Sequence, residues 1–489
     1  MPESSLDTLI AALRDPRRYP HPVESVEVLE THASFVLLAG AYAYKIKKPV
    51  SLGFLDFSTL ASRRFYCAEE LRLNRRTAPF LYLDVVTLSG EARSPVLGGD
   101  GSAIEYALRM RRFAQEALLD RMARRGALSP RHIDLLARAT AAFHGQIDRA
   151  AAGSAYGSPV QILASALQNF DQMLAMVEEA SDADRLRRLQ RWTIRTHAAL
   201  GPRLEARRRG GFVRECHGDL HLGNIALLDD TPTPFDGIEF NPELRWIDVM
   251  SEIAFLVMDL LDHALTALAF RFLNGYLEAT GDYAGLRVFR FYCVYRALVR
   301  AKVSCIRAHQ VHVVGEEKER LMREYRGHLE LAERLRSPGR RALVLMHGLS
   351  GSGKTAVAQR LLESFGAIRL RSDVERKRLH GAEAQARTDS GLDSGIYAPP
   401  ATRRTYTRLA DLARELLATR TTVIVDAAFL RREQRDAFHA LARGCAAPLA
   451  VVWCRAPEAV MRERLARREG EGKDASEAGV AVLERQLQT

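Results

Sequence analysis

The stretch Cys216–Asn224, CHGDLHLGN, carries two histidines, one aspartate and one asparagine in a run too rich in glycine for a helix. Three interpretations fit these residue types: a zinc site made by His217, Asp219 and His221, a polar turn, and a phosphoryl-transfer loop. A catalytic zinc site draws further ligands and supporting groups from elsewhere in the chain, and no downstream His/Cys cluster supplies them. Phosphoryl transfer is therefore the favoured interpretation.

The spacing of Asp219 and Asn224 is the one that phosphoryl transfer requires. A carboxylate must stand near the acceptor hydroxyl, and an asparagine five residues later holds Mg²⁺, as in the H-x-D-x-x-x-x-N pattern of kinase-type loops. A second metal-binding aspartate is then expected after a short hairpin, and NIALLDDTPTPFDGIEF supplies Asp236. Glu239 in the same stretch remains an alternative metal carboxylate.

Such a site also needs a lysine on an early strand, paired with a glutamate on a helix, to grip the α/β phosphates. AYKIKKP offers Lys45, with Lys47 on the same strand face, and CAEELRLN offers Glu70, with Glu69 as the alternative. Lysines on strands are usually solvated, so no single residue decides the matter. The order Lys, Glu, Asp, Asn, Asp along the chain is what indicates a kinase site.

A second phosphate signature, GLSGSGKT, matches G-x-x-x-x-G-K-[ST] in full between an apolar strand and an amphipathic helix. Its glycines let backbone N–H groups wrap the phosphates, its lysine adds positive charge at the β/γ oxygens, and its threonine hydroxyl holds Mg²⁺. The following helix offers its positive N-terminus to the anion. The motif predicts a site for ATP and Mg²⁺ formed by Gly348, Ser350, Gly351, Ser352, Gly353, Lys354 and Thr355.

Two later segments extend this second site. LRSDVERKRL places Asp373 three residues before Arg376, and VIVDAAF ends an apolar strand on Asp426, where a carboxylate positions Mg²⁺ through water. A helix N-cap at Asp373 and a turn residue at Asp426 are the simpler alternatives.

Together with the P-loop, these segments resemble the small P-loop kinases, including the gluconate-kinase-like and polynucleotide-kinase-like enzymes. The resemblance implies that Asp373 contacts or deprotonates the acceptor hydroxyl, with Arg376 beside it. It also implies that RERLARREGEGKDASEA (residues 462–478) forms a lid, in which Arg464 and Arg468 close on the transferred phosphate. A solvated charged helix explains the same arginines nearly as well.

The elements that must position these residues follow from hydrophobic periodicity. Apolar and polar residues alternate in three early segments, which predicts successive antiparallel strands at 25–31, 34–40 and 41–49. Apolar residues then recur three and four positions apart, which predicts a helix at 60–76. Another strand pair is predicted at 82–90 and 104–113. Helical patterns then run over about 116–200 and 248–335. The first 335 residues are thus predicted to form a small β lobe followed by a larger helical lobe.

The short basic segment RSPGRRA (336–342) contains a proline and a glycine and is a candidate linker. After it, apolar strands and helices alternate over 343–489, which predicts a parallel sheet covered by helices. We therefore predict a kinase domain at 1–335, a linker at 336–342 and a P-loop domain at 343–489.

Positive charge is concentrated in the C-terminal part of the chain. From residue 336 onward there are 27 Lys+Arg against 18 Asp+Glu, and before it 44 against 42. The basic C-terminal part suits phosphate-bearing ligands or nucleic acid, although an inert basic surface fits equally well.

The composition argues against a disordered, a disulfide-bonded secreted or a membrane-spanning protein. Apolar residues make up 47% of the 489, which is enough for large cores. The six cysteines are scattered without a C-x-x-C pair, as expected for reduced thiols in a cytoplasm. The N-terminus has no signal-peptide pattern, and the apolar stretch 253–270 contains Asp259 and Asp262, so no membrane span is predicted.

The first 335 residues resemble the aminoglycoside-phosphotransferase-like (protein-kinase-like) family, on YKIKKPVSLGFLDFSTLASRR, HGDLHLGN and RWIDVMSEIAFLVMDL. With the P-loop, nearly the whole chain resembles bacterial two-domain proteins described as bifunctional aminoglycoside phosphotransferase/ATP-binding proteins. The resemblance implies that Glu252 or Asp248 braces the catalytic loop, with His217 in a bracing role. The turn ETHASFV lacks the glycines of a protein-kinase loop, which disfavours a protein kinase.

We therefore expect an ATP-dependent phosphotransferase with two nucleotide sites, one in each domain, and Mg²⁺ in each. Asp219 is the expected base in the first domain and Asp373 in the second, and the acceptor is a small-molecule hydroxyl on a sugar, aminoglycoside-like compound or nucleoside. Two alternatives stay open. The C-terminal domain phosphorylates a nucleotide or nucleic-acid hydroxyl, or one domain is a nucleotide-gated pseudokinase that regulates the other.

Overall fold

The computed structural model describes residues 3–31, 33–51, 55–310, 313–384, 386, 394–471 and 476–488. The chain divides into two compact units. Unit 1 comprises Met1–Leu136, Ala142–Gln161 and Glu205–Leu256, and unit 2 comprises Ala137–Ala141, Ile162–Leu204 and Val257–Thr489. The domain boundary at residues 336–342 stays a prediction.

The described residues form both strands and helices. The strands are β1 (Val26–Glu30), β2 (Ser34–Ala39), β3 (Tyr42–Lys47), β4 (Tyr82–Glu91), β5 (Ser94–Leu97), β6 (Ala103–Arg111), β7 (Val213–Glu215), β8 (Ile225–Leu228), β9 (Thr231–Pro234), β10 (Trp246–Asp248), β11 (Ala342–His347), β12 (Ile368–Arg371), β13 (Thr422–Asp426) and β14 (Leu449–Trp453). The helices are α1 (Glu3–Ala12), α2 (Leu60–Asn74), α3 (Leu119–Arg124), α4 (Pro130–Gln146), α5 (Pro159–Leu174), α6 (Ala180–Arg209), α7 (Pro242–Arg245), α8 (Val249–Asp262), α9 (Thr266–Thr280), α10 (Leu286–Ala308), α11 (Gly315–Arg336), α12 (Lys354–Phe365), α13 (Ser372–Leu379), α14 (Pro399–Ala418), α15 (Arg432–Gly444), α16 (Glu458–Glu471) and α17 (Val480–Leu487).

A six-stranded antiparallel sheet in the order β1-β2-β3-β6-β4-β5 forms the first part of unit 1. Leu37, Tyr44 and Ile46 on its central strands pack into one buried core with residues of α1. Because successive side chains of a strand point to opposite faces, Lys45 and Lys47 lie on the other face of β3. The sheet thus presents two lysines away from its main core.

Helix α2 carries a buried row on the face that includes Cys67, Glu70 and Asn74. Thr59 caps the helix, since its hydroxyl accepts a hydrogen bond from the Ser62 N–H at 3.0 Å. Arg63, one helical turn further, is fully buried and donates to both oxygens of Glu105 on β6 at 2.9–3.0 Å. This ion pair joins α2 to the sheet and so sets the place of Glu70.

Two short antiparallel strand pairs complete the framework of unit 1: β7 with β10, and β8 with β9. The stretch 216–224 connects β7 to β8, and α8 begins directly after β10. Within the described ranges, none of the helices combines the length and apolar composition that a membrane span needs.

Unit 2 contains a four-stranded parallel sheet in the order β12-β13-β11-β14. Its central strands β11 and β13 are apolar and largely buried, as expected when helices cover both faces of a parallel sheet. The Gly-rich stretch lies between β11 and α12. The predicted fold class is confirmed: a β lobe and helices in the N-terminal part, and a helix-covered parallel sheet in the C-terminal part.

The predicted element limits differ from the structure by a few residues. Helix α2 ends at Asn74 and not at Arg76, because Arg75 is its C-cap. The first three strands are each one to three residues shorter than predicted. Helical patterns do not mark ends well, since the last turn of an amphipathic helix looks like its interior.

The ion pair between α2 and β6 yields a stability prediction. Glu105→Gln leaves Arg63 as an uncompensated buried charge, so the free energy of unfolding should fall by about 3–5 kcal/mol. Urea unfolding followed by circular dichroism measures it. Glu91→Gln, at the exposed end of β4, is the control and should change stability by less than about 0.5 kcal/mol. A loss below about 1 kcal/mol for Glu105→Gln contradicts the assignment.

Candidate active sites

Lys45 in unit 1 contacts two carboxylates that are far apart in sequence. Its Nζ lies 2.8 Å from Glu70 Oε1 and 2.5 Å from Asp236 Oδ1. The Glu70 side chain is fully buried, Lys45 is 15% exposed and Asp236 is 43% exposed. The predicted lysine, helix glutamate and hairpin aspartate therefore form one contiguous group that opens to solvent at the aspartate.

Lys47 also contacts two carboxylates, and these contacts are more deeply buried than those of Lys45. Its Nζ lies 2.6 Å from Glu70 Oε2 and also contacts Glu239, and both groups are buried. Glu69 instead pairs with Arg72 and Arg245 and contacts neither lysine. Of the two glutamates considered at this position, Glu70 is thus the one that orients the lysine.

The pairing with two lysines controls the protonation of Glu70. Burial alone would raise the pKa of this carboxyl, but Lys45 and Lys47 outweigh it and hold the pKa below its usual value. Burial raises the pKa of Glu239, and its ion-pair partner Lys47 only partly opposes this effect. For Lys45, burial lowers the pKa while Asp236 and Glu70 raise it, and the net pKa is well above its usual value. Lys45 is therefore charged at neutral pH.

Asp236 sits in a turn held by two residues that sequence reasoning did not identify. Its backbone has φ 62°, its N–H donates to the Tyr82 hydroxyl at 3.0 Å, and the Gly237 N–H donates to Asn74 Oδ1 at 2.8 Å. Asn74 follows Glu70 by one helical turn on the same face of α2, a spacing that could have revealed it. No local pattern points to Tyr82.

Asp219 and Asn224 lie together in the loop after β7. The Asn224 side-chain amide donates to Asp219 Oδ2 at 2.8 Å and to the Asp219 carbonyl at 3.0 Å. His221 Nε2 lies 3.3 Å from the same carboxylate. The loop also pairs with the Asp236 turn, since the Phe235 N–H donates to the Asn224 carbonyl at 2.9 Å. The three predicted acceptor and metal residues of unit 1 thus belong to two hydrogen-bonded segments.

Glu252 on α8 braces this loop from below. Its two oxygens accept the N–H groups of His217 and Gly218 at 2.7 and 2.8 Å. Asp248, the other brace considered, instead binds Arg207. Gly218 has φ 87°, and a Cβ there would lie 2.8 Å from the Leu244 carbonyl, so the loop conformation requires glycine.

His217 is not placed as a metal ligand. Burial lowers the pKa of this imidazole, its Nε2 bonds the Phe235 carbonyl at 2.9 Å, and its Nδ1 accepts the Asp219 N–H at 3.4 Å. Among the described residues, the side chains of His144, Cys216 and Glu252 place possible ligand atoms within 4.8 Å of one another. Within this group, both oxygens of Glu252 accept hydrogen bonds from loop amides, so its carboxylate braces the loop.

The P-loop of unit 2 has the expected backbone. Gly348, Gly351 and Gly353 have φ values of 143°, 81° and 94°. A Cβ on Gly351 would lie 2.7 Å from the Met461 carbonyl, so a side chain has no room there. The Ser350 N–H donates to Gln486 Oε1 at 2.7 Å, whereas the buried Ser352 hydroxyl has no partner among the described residues.

Lys354 folds back on the loop and lies in the field of two predicted carboxylates. Its Nζ donates to the Gly348 and Leu349 carbonyls at 2.9 and 2.8 Å. Burial lowers the pKa of Lys354, while Asp426 and Asp373 act to raise it. For the Asp426 carboxyl, burial has the opposite effect and raises the pKa. This carboxylate accepts a hydrogen bond from the Thr355 side chain. Lys354, Thr355 and Asp426 are thus brought together, with Asp373 nearby.

Asp373 lies in the first turn of α13, whose N-cap is Arg371, so the simpler reading of Asp373 as the N-cap is wrong. Arg376 is buried; its Nη1 donates to the Ile396 carbonyl at 2.9 Å and to the Thr402 hydroxyl at 3.1 Å. These contacts tie α13 to α14 and its preceding turn.

The two lid arginines are placed differently. Arg464 Nη1 donates to the Gly351 carbonyl at 3.3 Å and so reaches the P-loop. Arg468 donates to the Ala478 carbonyl, and its charge acts to lower the pKa of Lys354. Residues 472–475 of the predicted lid lie outside the described residues.

Comparison with known proteins supports the two-part organisation. Residues 343–489 match the family model AAA_33, described as AAA domain. The Uncharacterized protein Rv2004c of Mycobacterium tuberculosis (strain ATCC 25618 / H37Rv) is 30% identical over 466 residues, which cover 95% of this chain and 91% of that protein.

Two solved structures align with this chain over different shares of its length. Amicoumacin kinase hAmiN, in complex with AMP-PNP, Ca²⁺ and Ami, is 13% identical and covers 68% of this chain and 96% of its own, with a TM-score of 0.43. A gluconokinase from Sinorhizobium meliloti 1021 is 24% identical and covers 31% and 75%, with a TM-score of 0.21. The match to the AAA domain model confirms the P-loop part of the predicted resemblance, and the structure that aligns over 68% of the chain is that of a kinase.

The Glu70 ion pairs yield a pH prediction. Because the folded pKa of Glu70 is lowered, its pairs stabilise the protein fully above the ordinary pKa near 4.5 and lose that effect as the pH falls through the lowered pKa. Glu70→Gln should therefore be less stable than wild type at pH 7, and the difference should narrow below pH 4.5. Urea midpoints between about pH 7 and 3 measure it, with Glu91→Gln as a control that follows wild type. A difference that does not change with pH contradicts the pairing.

Proposed function

We propose that this chain, which belongs to the same family as the mycobacterial protein that it matches over 95% of its length, is an ATP-dependent phosphotransferase with two nucleotide sites. The observation that carries the proposal is the pair of contacts made by Lys45, to Glu70 on one side and to the exposed Asp236 on the other. A strand lysine held by a helix glutamate beside a metal-type aspartate suits the grip on a nucleoside triphosphate.

In unit 1, Lys45 neutralises phosphate oxygens and Glu70 keeps its ammonium group in place. Asp219 accepts the proton of the acceptor hydroxyl as that oxygen attacks the γ-phosphorus, and the bond from phosphorus to the leaving ADP oxygen breaks. The Asn224 amide orients the Asp219 carboxylate for this task. Glu252 holds the loop rigid, so that the carboxylate is positioned before the substrate binds.

The donor set of unit 1 fits Mg²⁺. The Asn224 amide nitrogen donates a hydrogen bond to Asp219, so the amide oxygen remains as the ligand atom. The Asp236 carboxylate is partly exposed. Carboxylate and amide oxygens are the hard ligands that Mg²⁺ takes in proteins. When bound, the ion would neutralise charge on the β and γ phosphates.

In unit 2, the P-loop backbone and Lys354 cradle the phosphates, and Thr355 with Asp426 holds a second Mg²⁺ site. Asp373 serves as the acceptor base, Arg376 fixes the helix that carries it, and Arg464 and Arg468 approach from the lid. The charge of Asp373 acts to raise the pKa of Lys354, which supports this assignment. In both units the acceptor is a hydroxyl group of a small molecule.

The role of Asp219 is tested by Asp219→Asn. An amide cannot take the acceptor proton, so the kcat of unit 1 should fall by about 10²- to 10⁴-fold while ATP binding persists. ATP turnover is measured with sugars, aminoglycosides, nucleosides and RNA ends as acceptors. Asp229→Asn, in the neighbouring exposed hairpin, is the matched control and should leave turnover unchanged. If no activity of the wild type depends on Asp219, the kinase role of unit 1 is wrong.

The second nucleotide site is tested by Lys354→Ala. Loss of the phosphate-binding charge should lower the activities that Asp219→Asn spares by about 10²-fold or more, and equilibrium dialysis with an ATP analogue should show one nucleotide bound per chain where wild type binds two. Arg360→Ala, an exposed change on the same helix α12, is the control. Unchanged stoichiometry in Lys354→Ala would exclude a P-loop nucleotide site.

A further inference from the structure

Helix α9 of unit 2 packs against the P-loop sheet although it lies before the segment that matches the AAA domain model. Phe270, Asn274 and Glu278 are spaced four residues apart and so form one stripe on the helix. Phe270 joins the apolar core beneath the P-loop helix α12, and its ring fills the place where a Cβ of Gly366 would lie. Helix α9 is thus part of the layer that covers this sheet.

Asn274 holds the open edge of β12. Its side-chain amide donates to the Ala367 carbonyl at 2.9 Å, and its oxygen accepts the Arg369 N–H at 2.7 Å. Among the described strands, β12 pairs only with β13, so these backbone groups lie at the edge of the sheet. The buried amide therefore takes the place of a neighbouring strand and fixes the strand that leads to Asp373.

Glu278, one turn further along the stripe, binds the side chains of the same strand. Its Oε1 accepts from Arg369 Nε and Nη2 at 2.9 and 2.7 Å, and its Oε2 lies 3.6 Å from Arg371 Nη1. All three side chains are at least four-fifths buried. One carboxylate from α9 thus compensates two arginines in a site with little water to screen them.

Arg371 is also the lateral neighbour of Asp426. The two residues are paired across β12 and β13, and side chains that are paired in this way share one face of a sheet. Asp426 is the carboxylate that contacts Thr355 in the proposed nucleotide site. Arg371 therefore lies between two carboxylates, Glu278 and Asp426, which compete for its charge.

We propose that Glu278 is a positioning residue of the P-loop site: it draws Arg369 and Arg371 toward α9 and so leaves Asp426 available to a divalent cation. The inference rests on the proposed nucleotide site of unit 2. Without the Glu278 charge, no carboxylate of α9 opposes the attraction between Asp426 and these two arginines. An arginine ion pair at Asp426 then competes with the metal, because a carboxylate that holds a guanidinium has less negative charge to offer.

The experiment measures metal binding directly in the full-length chain. Mn²⁺, a paramagnetic substitute for Mg²⁺, is titrated by electron paramagnetic resonance with a non-hydrolysable ATP analogue present. The class of Mn²⁺ sites that Lys354→Ala removes is the P-loop site. In Glu278→Gln the affinity of this class should fall about 10- to 100-fold, the range seen when groups that orient metal ligands are changed. Glu278→Gln with Arg371→Met should regain most of the affinity, because the competing charge is gone.

Glu363→Gln is the matched control. Glu363 on α12 pairs with Arg271 of α9 at 2.8 Å, so the substitution neutralises a carboxylate at the same helix contact but away from Asp426. Its Mn²⁺ affinity should equal that of wild type.

Three results would overturn the inference. Wild-type Mn²⁺ affinity in Glu278→Gln shows that Glu278 does not position the site, while the nucleotide site itself stands. A loss that the second substitution does not restore, with a lowered melting temperature, shows a purely structural role. If Lys354→Ala removes no Mn²⁺ class from the wild type, the proposed nucleotide site fails, and the inference fails with it.

Discussion

The structure of unit 1 depends on one buried carboxylate shared by two ammonium groups. Glu70 has no exposed surface, and each of its oxygens contacts a different lysine of β3. Taking these charges out of water costs several kcal/mol per ion, which is recovered only while the partners keep good geometry. The helix, the strand and the segment around Asp236 and Glu239 are therefore held to one arrangement, in which Lys45 and Asp236 face solvent together.

Support for the catalytic loop comes from backbone groups as much as from side chains. Glu252 binds two consecutive amides of the loop, Asn74 binds the amide after Asp236, and Tyr82 binds the amide of Asp236 itself. Hydrogen bonds to a charged carboxylate are stronger than neutral ones. This support compensates the unusual backbone angle of residues such as Asp236.

In unit 2, side chains of α9 satisfy polar and charged groups at the edge of the parallel sheet. An edge strand presents unpaired backbone groups, and here an asparagine from α9 satisfies two of them on β12. Through Glu278, the same helix compensates the charges of Arg369 and Arg371, which lie on the strand next to the one that ends at the buried Asp426. Helix α9 thus supports the sheet of the proposed phosphate site, whose sequence motif lies about 70 residues further along the chain.

Much of both sites was predictable because the relevant signals are local. The spacing of Asp219 and Asn224, the P-loop, and the order of Lys45, Glu70 and Asp236 follow from short motifs and from periodicity, which the backbone geometry of each element imposes. Element limits and long-range partners were not predictable in this way. The sequence offered Glu69 as an alternative to Glu70, Glu239 as an alternative to Asp236, and either Glu252 or Asp248 as the brace of the loop.

By itself, the sequence predicted two types of phosphate-binding chemistry and determined the elements on which the candidate residues lie. The tertiary structure decided which carboxylate each cation binds. Lys47 pairs with Glu239 across 192 residues and Arg369 with Glu278 across 91, and no local pattern encodes either contact. The reason is physical: an ion pair depends on the direction and burial of two side chains, and both are set only when distant elements pack.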